Sequence, residues 1–224
     1  MPSHAVRNRQ LGGRDVRAAE ALARGLLRAN PERVRHSAAV AARAVSLAGA
    51  VDHDDVNLLV ASAWLHDIGY ASAVHDTGFH PLDGARFLGS RDWDPRVCGL
   101  VAHHSGSRFT AIHWGLDSEL GDFPHVQDPV SDALTVADQA VGPNGRRFTL
   151  DERMREVLRR HGPESPQAKA HPQRSAYFRE ASRRVDMRLA THTVLGLRVP
   201  AHGSVRDGDG AIRARLLLPP PGRS

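Results

Sequence analysis

The sequence predicts an all-α fold on three observations: apolar residues recur with helical period along most of the chain, Asn, Pro and Gly interrupt them at short intervals, and no block alternates like a run of strands. In chain order, residues 14–29 (RDVRAAEALARGLLRA) place Val16, Ala19, Leu22, Ala23, Leu26 and Leu27 on one helical face. Asn30 and Pro31 stop that helix and open the next, Asn30 as N-cap and Pro31 as first helical residue. The second helix, PERVRHSAAVAARAVSLAGA, carries His36 among small residues and is expected to end near Gly49. A third, DDVNLLVASAWLHDIGY, has acidic residues near its positive end, runs apolar into His66 and Asp67, and is expected to be terminated by Gly69. After the loop ASAVHDTGF, a short helix opens at His80-Pro81, and DPRVCGLVAHHSG repeats the acidic start and glycine stop, closing on His103 and His104. An irregular stretch is expected from Ser105 to Gln127, followed by a helix over DPVSDALTVADQAVG with Asp138 in its final turns. Amphipathic pieces at 150–161 and 166–190 flank GPESP. One helical domain is expected over 1–190, with its core at 31–142, a C-terminal helical extension at 149–190, and a loose tail at 191–224.

Composition narrows the function. The apolar runs fall short of a membrane span, and MPSHAVRNRQLGGRD offers no apolar core for a secretory signal, so a cytoplasmic, non-membrane protein is expected. A single cysteine, Cys98, excludes an internal disulfide and a thiolate metal cluster, and its apolar helix marks it for packing. The net charge of +5 is unevenly spread. Residues 51–95 hold eight Asp against Arg86 and Arg91, whereas 153–188 hold ten basic residues against four acidic ones. A His-rich acidic segment suits a cation site, while the basic segment, with its arginines scattered around helical turns, is expected to be mainly a solvated face. A nucleic-acid partner has no motif to support it: Trp64, Trp93 and Trp114 are not interleaved with Arg, and the glycines lack phosphate-loop spacing.

Three His-Asp pairs occur, where chance predicts about one. His53-Asp54 and His75-Asp76 lie in polar turns. His66-Asp67 instead follows the buried-looking run LLVASAWL, where two strongly hydrated side chains need a partner. His36, His66, Asp67 and Asp138 share one kind of position, each embedded in or closing an apolar helix. Imidazole and carboxylate together suit a divalent transition metal, one or two ions of Mn, Fe, Co, Ni or Zn, rather than an all-oxygen Mg or Ca cage.

The order His36, then His66-Asp67 in the string HDIG, then distant Asp138 resembles the H…HD…D signature of the HD superfamily of metal-dependent phosphohydrolases, over roughly 31–142. The resemblance implies an HD-domain helical bundle with a core of about five helices plus flanking helices. His80-Pro81 followed by Gly84, and the pair His103-His104, resemble the extra histidines of the two-metal branch that includes the HD-GYP type. By that resemblance His36, His66, Asp67 and Asp138 hold a first ion, and Asp67, His80, His103 and His104 a second. Asp67 and His80 are then the candidates for catalysis. The chain departs from HD-GYP enzymes in two places: His104 leads into SGSRFTAIHWG without an acidic residue or Gly-Tyr-Pro, and Tyr70 stands where Lys usually follows HDIG.

The implied reaction is hydrolysis of a phosphomonoester, phosphodiester or nucleotide by a metal-activated water. Arg108, Arg146 and Arg147, near the ligands in sequence, are candidates to meet charge on the phosphoryl oxygens, and Tyr70 is a candidate to donate a proton or stack on a base. The same ligand types serve a di-iron oxygenase, and a nucleotide-sensing module without turnover is the third reading. Retention of seven candidate ligands favours an open site over a structural ion, which needs about four.

Overall fold

The computed structural model describes residues 10–194, and among them the chain is helical throughout, with an isolated antiparallel bridge between Val141 and Arg147 in place of any strand. The first four helices along the chain are α1 (Gly13–Leu26), α2 (Pro31–Ser46), α3 (Val56–Leu65) and α4 (His80–Gly89). α2 starts as the sequence dictates, with Asn30 Oδ1 accepting the Arg33 N–H at 3.2 Å and Pro31 in the first turn. α3 is apolar on every side, and its residues from Leu58 to Leu65 are all buried. A helix of that kind is stable only at the centre, and α1, α2, α5 (Pro95–His103) and α8 (Pro129–Gln139) pack around it. α4 lies against α5.

The turn before α4 explains why His75-Asp76 is no ligand pair. The buried carboxylate of Asp83 accepts backbone N–H groups from Asp76, Thr77 and Gly78 at 2.9–3.1 Å, fixing the loop that delivers His80. Asp76 itself turns outward to Arg86. His53 and Asp54 are exposed.

Three expectations need correction. The stretch from Ser105 to Gln127 is not wholly irregular, because it contains α6 (Ser107–Ala111) and α7 (Asp117–Leu120). The third helix ends at Leu65 rather than at Gly69, and a 3-10 turn covers Ile68–Tyr70. Gly69 is not in the left-handed region. Its missing side chain instead makes room for the backbone of His80, since a Cβ there would lie within 2.8 Å of the His80 Cα and carbonyl carbon. Finally, the C-terminal helices α9 (Leu150–His161), α10 (Pro166–Lys169) and α11 (His171–Val194) carry the chain past the expected boundary at 190. The rest of the expected tail, 195–224, lies outside the described residues.

α11 docks on α8 through charge as well as packing. Asp132 is 1% exposed and accepts hydrogen bonds from Arg184 at 2.6 and 2.8 Å and from Arg188 at 2.9 Å. Removing one partner of a buried pair is expensive, although both arginines reach solvent and relieve part of the loss. Asp132→Ala is therefore expected to lower stability by roughly 2–4 kcal/mol, read as a fall in the urea midpoint at unchanged m-value. An unchanged midpoint would show that α11 is held by its apolar face alone.

Candidate metal centre

Two histidines are aimed by the same local device. α3 and α5 are each followed, at the C-cap position, by a histidine whose ring turns back to the last free carbonyls: His66 Nδ1 donates to Ala63 O at 2.8 Å, and His104 Nδ1 donates to Val101 O at 2.7 Å. Each bond satisfies a carbonyl the helix end leaves open. His36 is moored likewise across the fold, its Nδ1 donating to Gly142 O at 3.0 Å. Because a carbonyl only accepts, all three rings carry the proton on Nδ1, and when neutral present a bare lone pair at Nε2.

Those lone pairs converge. His66 Nε2 lies 3.2 Å from His36 Nε2, and His80 Nε2 lies 3.3 Å from His104 Nε2. Asp67 stands between the two couples: its Oδ2 is 3.5 Å from His36 and 3.6 Å from His66, while its Oδ1 is 3.4 Å from His80 and 4.0 Å from His104. Asp138 Oδ1 closes the first group at 3.0 Å from His36 and 3.7 Å from His66. Two sets, His36 with His66 and Asp67, and Asp67 with His80 and His104, each bring their donor atoms within 4.8 Å of one another. His36, His66, Asp67, His104 and Asp138 are buried, and His80 is partly open.

Facing lone pairs and carboxylate oxygens with no proton between them repel, and burial removes the water that would screen them. The donor set therefore fits a cation, and its mixture of nitrogen and oxygen fits a transition metal. Burial alone would raise Asp67 and Asp138, yet the imidazoles around both, when protonated, and Arg33 beside Asp67 hold their carboxyls well below the usual range. Burial lowers His66. At His36 the carboxylates of Asp138 and Asp67 outweigh burial and raise the group, so that a proton on Nε2, bonded to Asp138 Oδ1, and a cation compete for the same place.

Neighbouring residues fix the carboxylates. Arg33 Nη1 donates to Asp67 Oδ2 at 2.6 Å, and its guanidinium lies 3.9 Å over the Tyr70 ring, which stacks on His80 at 4.0 Å. Ser105 Oγ donates to Asp138 Oδ2, which also accepts from Gln139 Nε2 at 3.0 Å. Ser105 reaches it because the chain turns through two left-handed residues, Ser105 (φ 50°) and Gly106 (φ 65°).

Not every expected residue joins the cluster. His103 turns away: its Nε2 donates to Phe123 O at 3.1 Å and its ring meets His125 edge-on at 4.7 Å. His103 is the last helical residue of α5, whereas His104 takes extended ψ at its C-cap (φ −57°, ψ 147°), so the two rings leave the chain in different directions, and His103 lines a cavity of about 410 Å³ together with His104, His125 and Arg96. Arg108 lies on that side too, over Phe109 and Tyr177. Arg146 stacks on Phe148, and Arg147 sits at the bridge to Val141. Tyr70 alone among the expected substrate contacts borders the centre. Sequence reasoning missed Arg33, Ser105 and Gln139, for which a signal existed: Arg33 is one turn before His36 on the same face, and Ser105 and Gln139 directly follow His104 and Asp138. It also took the basic segment as a solvated face, which holds for Arg179 and Arg183 but not for buried Arg153.

The fold and the cluster define a helical bundle that gathers histidine and aspartate at helix ends into a candidate cation site. A family model described as HD domain matches residues 33–163, more than half of the chain, and the chain belongs to the HD domain family. No curated protein and no solved structure matches it. No helix among the described residues is long and apolar enough to cross a membrane.

Proposed function

We propose that this protein is a metal-dependent phosphohydrolase with two adjacent ion sites that share Asp67. One observation carries the reading: the two oxygens of Asp67 face different pairs of histidine Nε2 atoms. His36, His66, Asp67 and Asp138 would hold one divalent transition-metal ion, and Asp67, His80 and His104 a second. Bound there, such ions supply Lewis acidity and a water that ionises near neutral pH.

The chain's own residues do the rest. Asp67 sets the spacing between the sites and orients the attacking water. Ser105 and Gln139 occupy Oδ2 of Asp138 and so leave Oδ1 for the cluster. Arg33 supplies the cationic phosphate contact for which the Tyr70 position has no charge; its planar donors meet phosphoryl oxygens as negative charge grows on them. Tyr70 backs the His80 ring and, 40% exposed, forms part of the mouth.

The test is elemental analysis of purified protein joined to a panel of phosphomonoesters, phosphodiesters and nucleotides with Mn, Fe, Co, Ni or Zn added. One to two equivalents of metal, with hydrolysis abolished by chelator and restored by metal, is the expected result. No turnover of any phosphate ester, with oxygen uptake on an organic substrate, would replace this reading with the di-iron oxygenase.

A further inference from the structure

Three arginines of the C-terminal helices close on the centre with donors to spare. Arg153, in the first turn of α9, is 5% exposed; one guanidinium nitrogen bonds Glu156, while its Nε is buried with no hydrogen-bond partner among the described residues. Arg174, in the first turn of α11, gives its Nε to the backbone carbonyl of Ser105 at 3.3 Å and covers the Phe178 ring. No carboxylate among the described residues pairs with it, and burial pushes it down to about 10. Arg160 lies 3.6 Å from Glu156 and within electrostatic reach of Arg33 and Tyr70. Arg153 and Arg160 thus share one carboxylate, Glu156, and the carboxylate within electrostatic reach of Arg174 is Asp138 of the centre itself.

The position of Arg174 relative to the centre is set by Ser105. Its hydroxyl bonds Asp138 and its carbonyl takes Arg174, so Arg174 is one residue removed from a candidate metal ligand. A buried, unpaired guanidinium donor is costly. An anion that supplies oxygens to several such donors removes that cost, and one already coordinated beside Asp138 is well placed to do so.

We infer that Arg153, Arg160 and Arg174 form an anion subsite beside the metal centre that binds a second phosphate next to the one attacked, so that the substrate carries contiguous phosphates, as a nucleoside di- or triphosphate does. The inference rests on the phosphohydrolase reading. In that hydrolysis the water oxygen forms the new P–O bond, the bridging P–O bond breaks, and the leaving phosphate departs as an anion held by the arginines, while the proton of water passes to the medium.

Two measurements test it. The first is calorimetric titration of the full chain with imidodiphosphate, a pyrophosphate whose bridge resists hydrolysis. Arg174→Gln and Arg160→Gln are each expected to weaken binding roughly ten- to a hundredfold, the loss of a charge-assisted hydrogen bond. Arg183→Gln, exposed on the same helix and paired with Glu180, is expected to leave it within about twofold. Equal affinities in all three variants, or no binding by the wild type, would overturn the subsite. Arg160 is on a partly open side chain, so its variant decides the matter if Arg174→Gln fails to fold. The second is the ratio of kcat/KM for ATP to that for p-nitrophenyl phosphate, expected to fall at least about tenfold in Arg160→Gln; an unchanged ratio counts against the assignment. A wild type that turns over no member of the phosphate panel removes the phosphohydrolase reading, and calorimetry still decides the subsite.

Discussion

Asp67→Ala is expected to empty the centre and to reduce hydrolysis on the order of a thousandfold or more. Asp67 is the only group common to the two donor sets, so its loss weakens both together. It also leaves Arg33, whose side chain is 16% exposed, without its 2.6 Å partner. Metal content is the cleaner readout, because it does not depend on knowing the substrate: less than a tenth of the wild-type equivalents should remain. His103→Ala provides the contrast. Its ring faces Phe123 and His125, and metal content at the wild-type level is expected. Wild-type metal in Asp67→Ala, or metal lost in His103→Ala, would overturn the assignment of ligands.

Gly69→Ala is expected to be the most damaging glycine-to-alanine change among the described residues, lowering stability by about 3 kcal/mol and displacing His80. The Cβ would meet main chain, the His80 Cα and carbonyl carbon at 2.8 Å, and main chain at the start of a helix cannot swing aside as a side-chain tip does. Relief requires α4 to retreat from the turn at Ile68–Tyr70. His80 then moves off Asp67 Oδ1, from which it stands 3.4 Å. Thermal melting and metal stoichiometry should fall together. Gly89→Ala, at the far end of α4 with nothing within 4 Å of the added carbon, is expected to melt within a degree or two of wild type. Equal melting of the two variants would show that the close approach at Gly69 carries no constraint.

Much of this arrangement was legible in the sequence, and the exceptions have physical causes. The helices are spelled out by periodicity and caps: Asn30-Pro31 starts α2, and Asp128 with Pro129 starts α8. His36, His66, Asp67 and Asp138 stood out because polar side chains on apolar helices require partners, and the structure gathers them with His80 and His104. His103 could not be told from His104, since adjacency in sequence hides which way each ring turns. The end of α3 was misplaced because a left-handed glycine and a glycine required by a neighbouring backbone look alike on paper. The arginines were the largest miss: whether a basic helical face meets water or a cleft depends on how α9 and α11 dock, and that is set by long-range pairs such as Asp132 with Arg184.

The mooring of three imidazoles by main-chain oxygens has a consequence for which ions the cage admits. Bonds made within the fold fix these ring directions, so less ordering entropy is lost when an ion enters than in a cage of free side chains. The same rigidity limits adaptation. An ion needing longer bonds or more donors would have to pry apart the ends of α3 and α5, not merely rotate side chains. Calcium, with its six to eight oxygen ligands at 2.3–2.6 Å, is therefore disfavoured by the scaffold's stiffness as much as by donor chemistry.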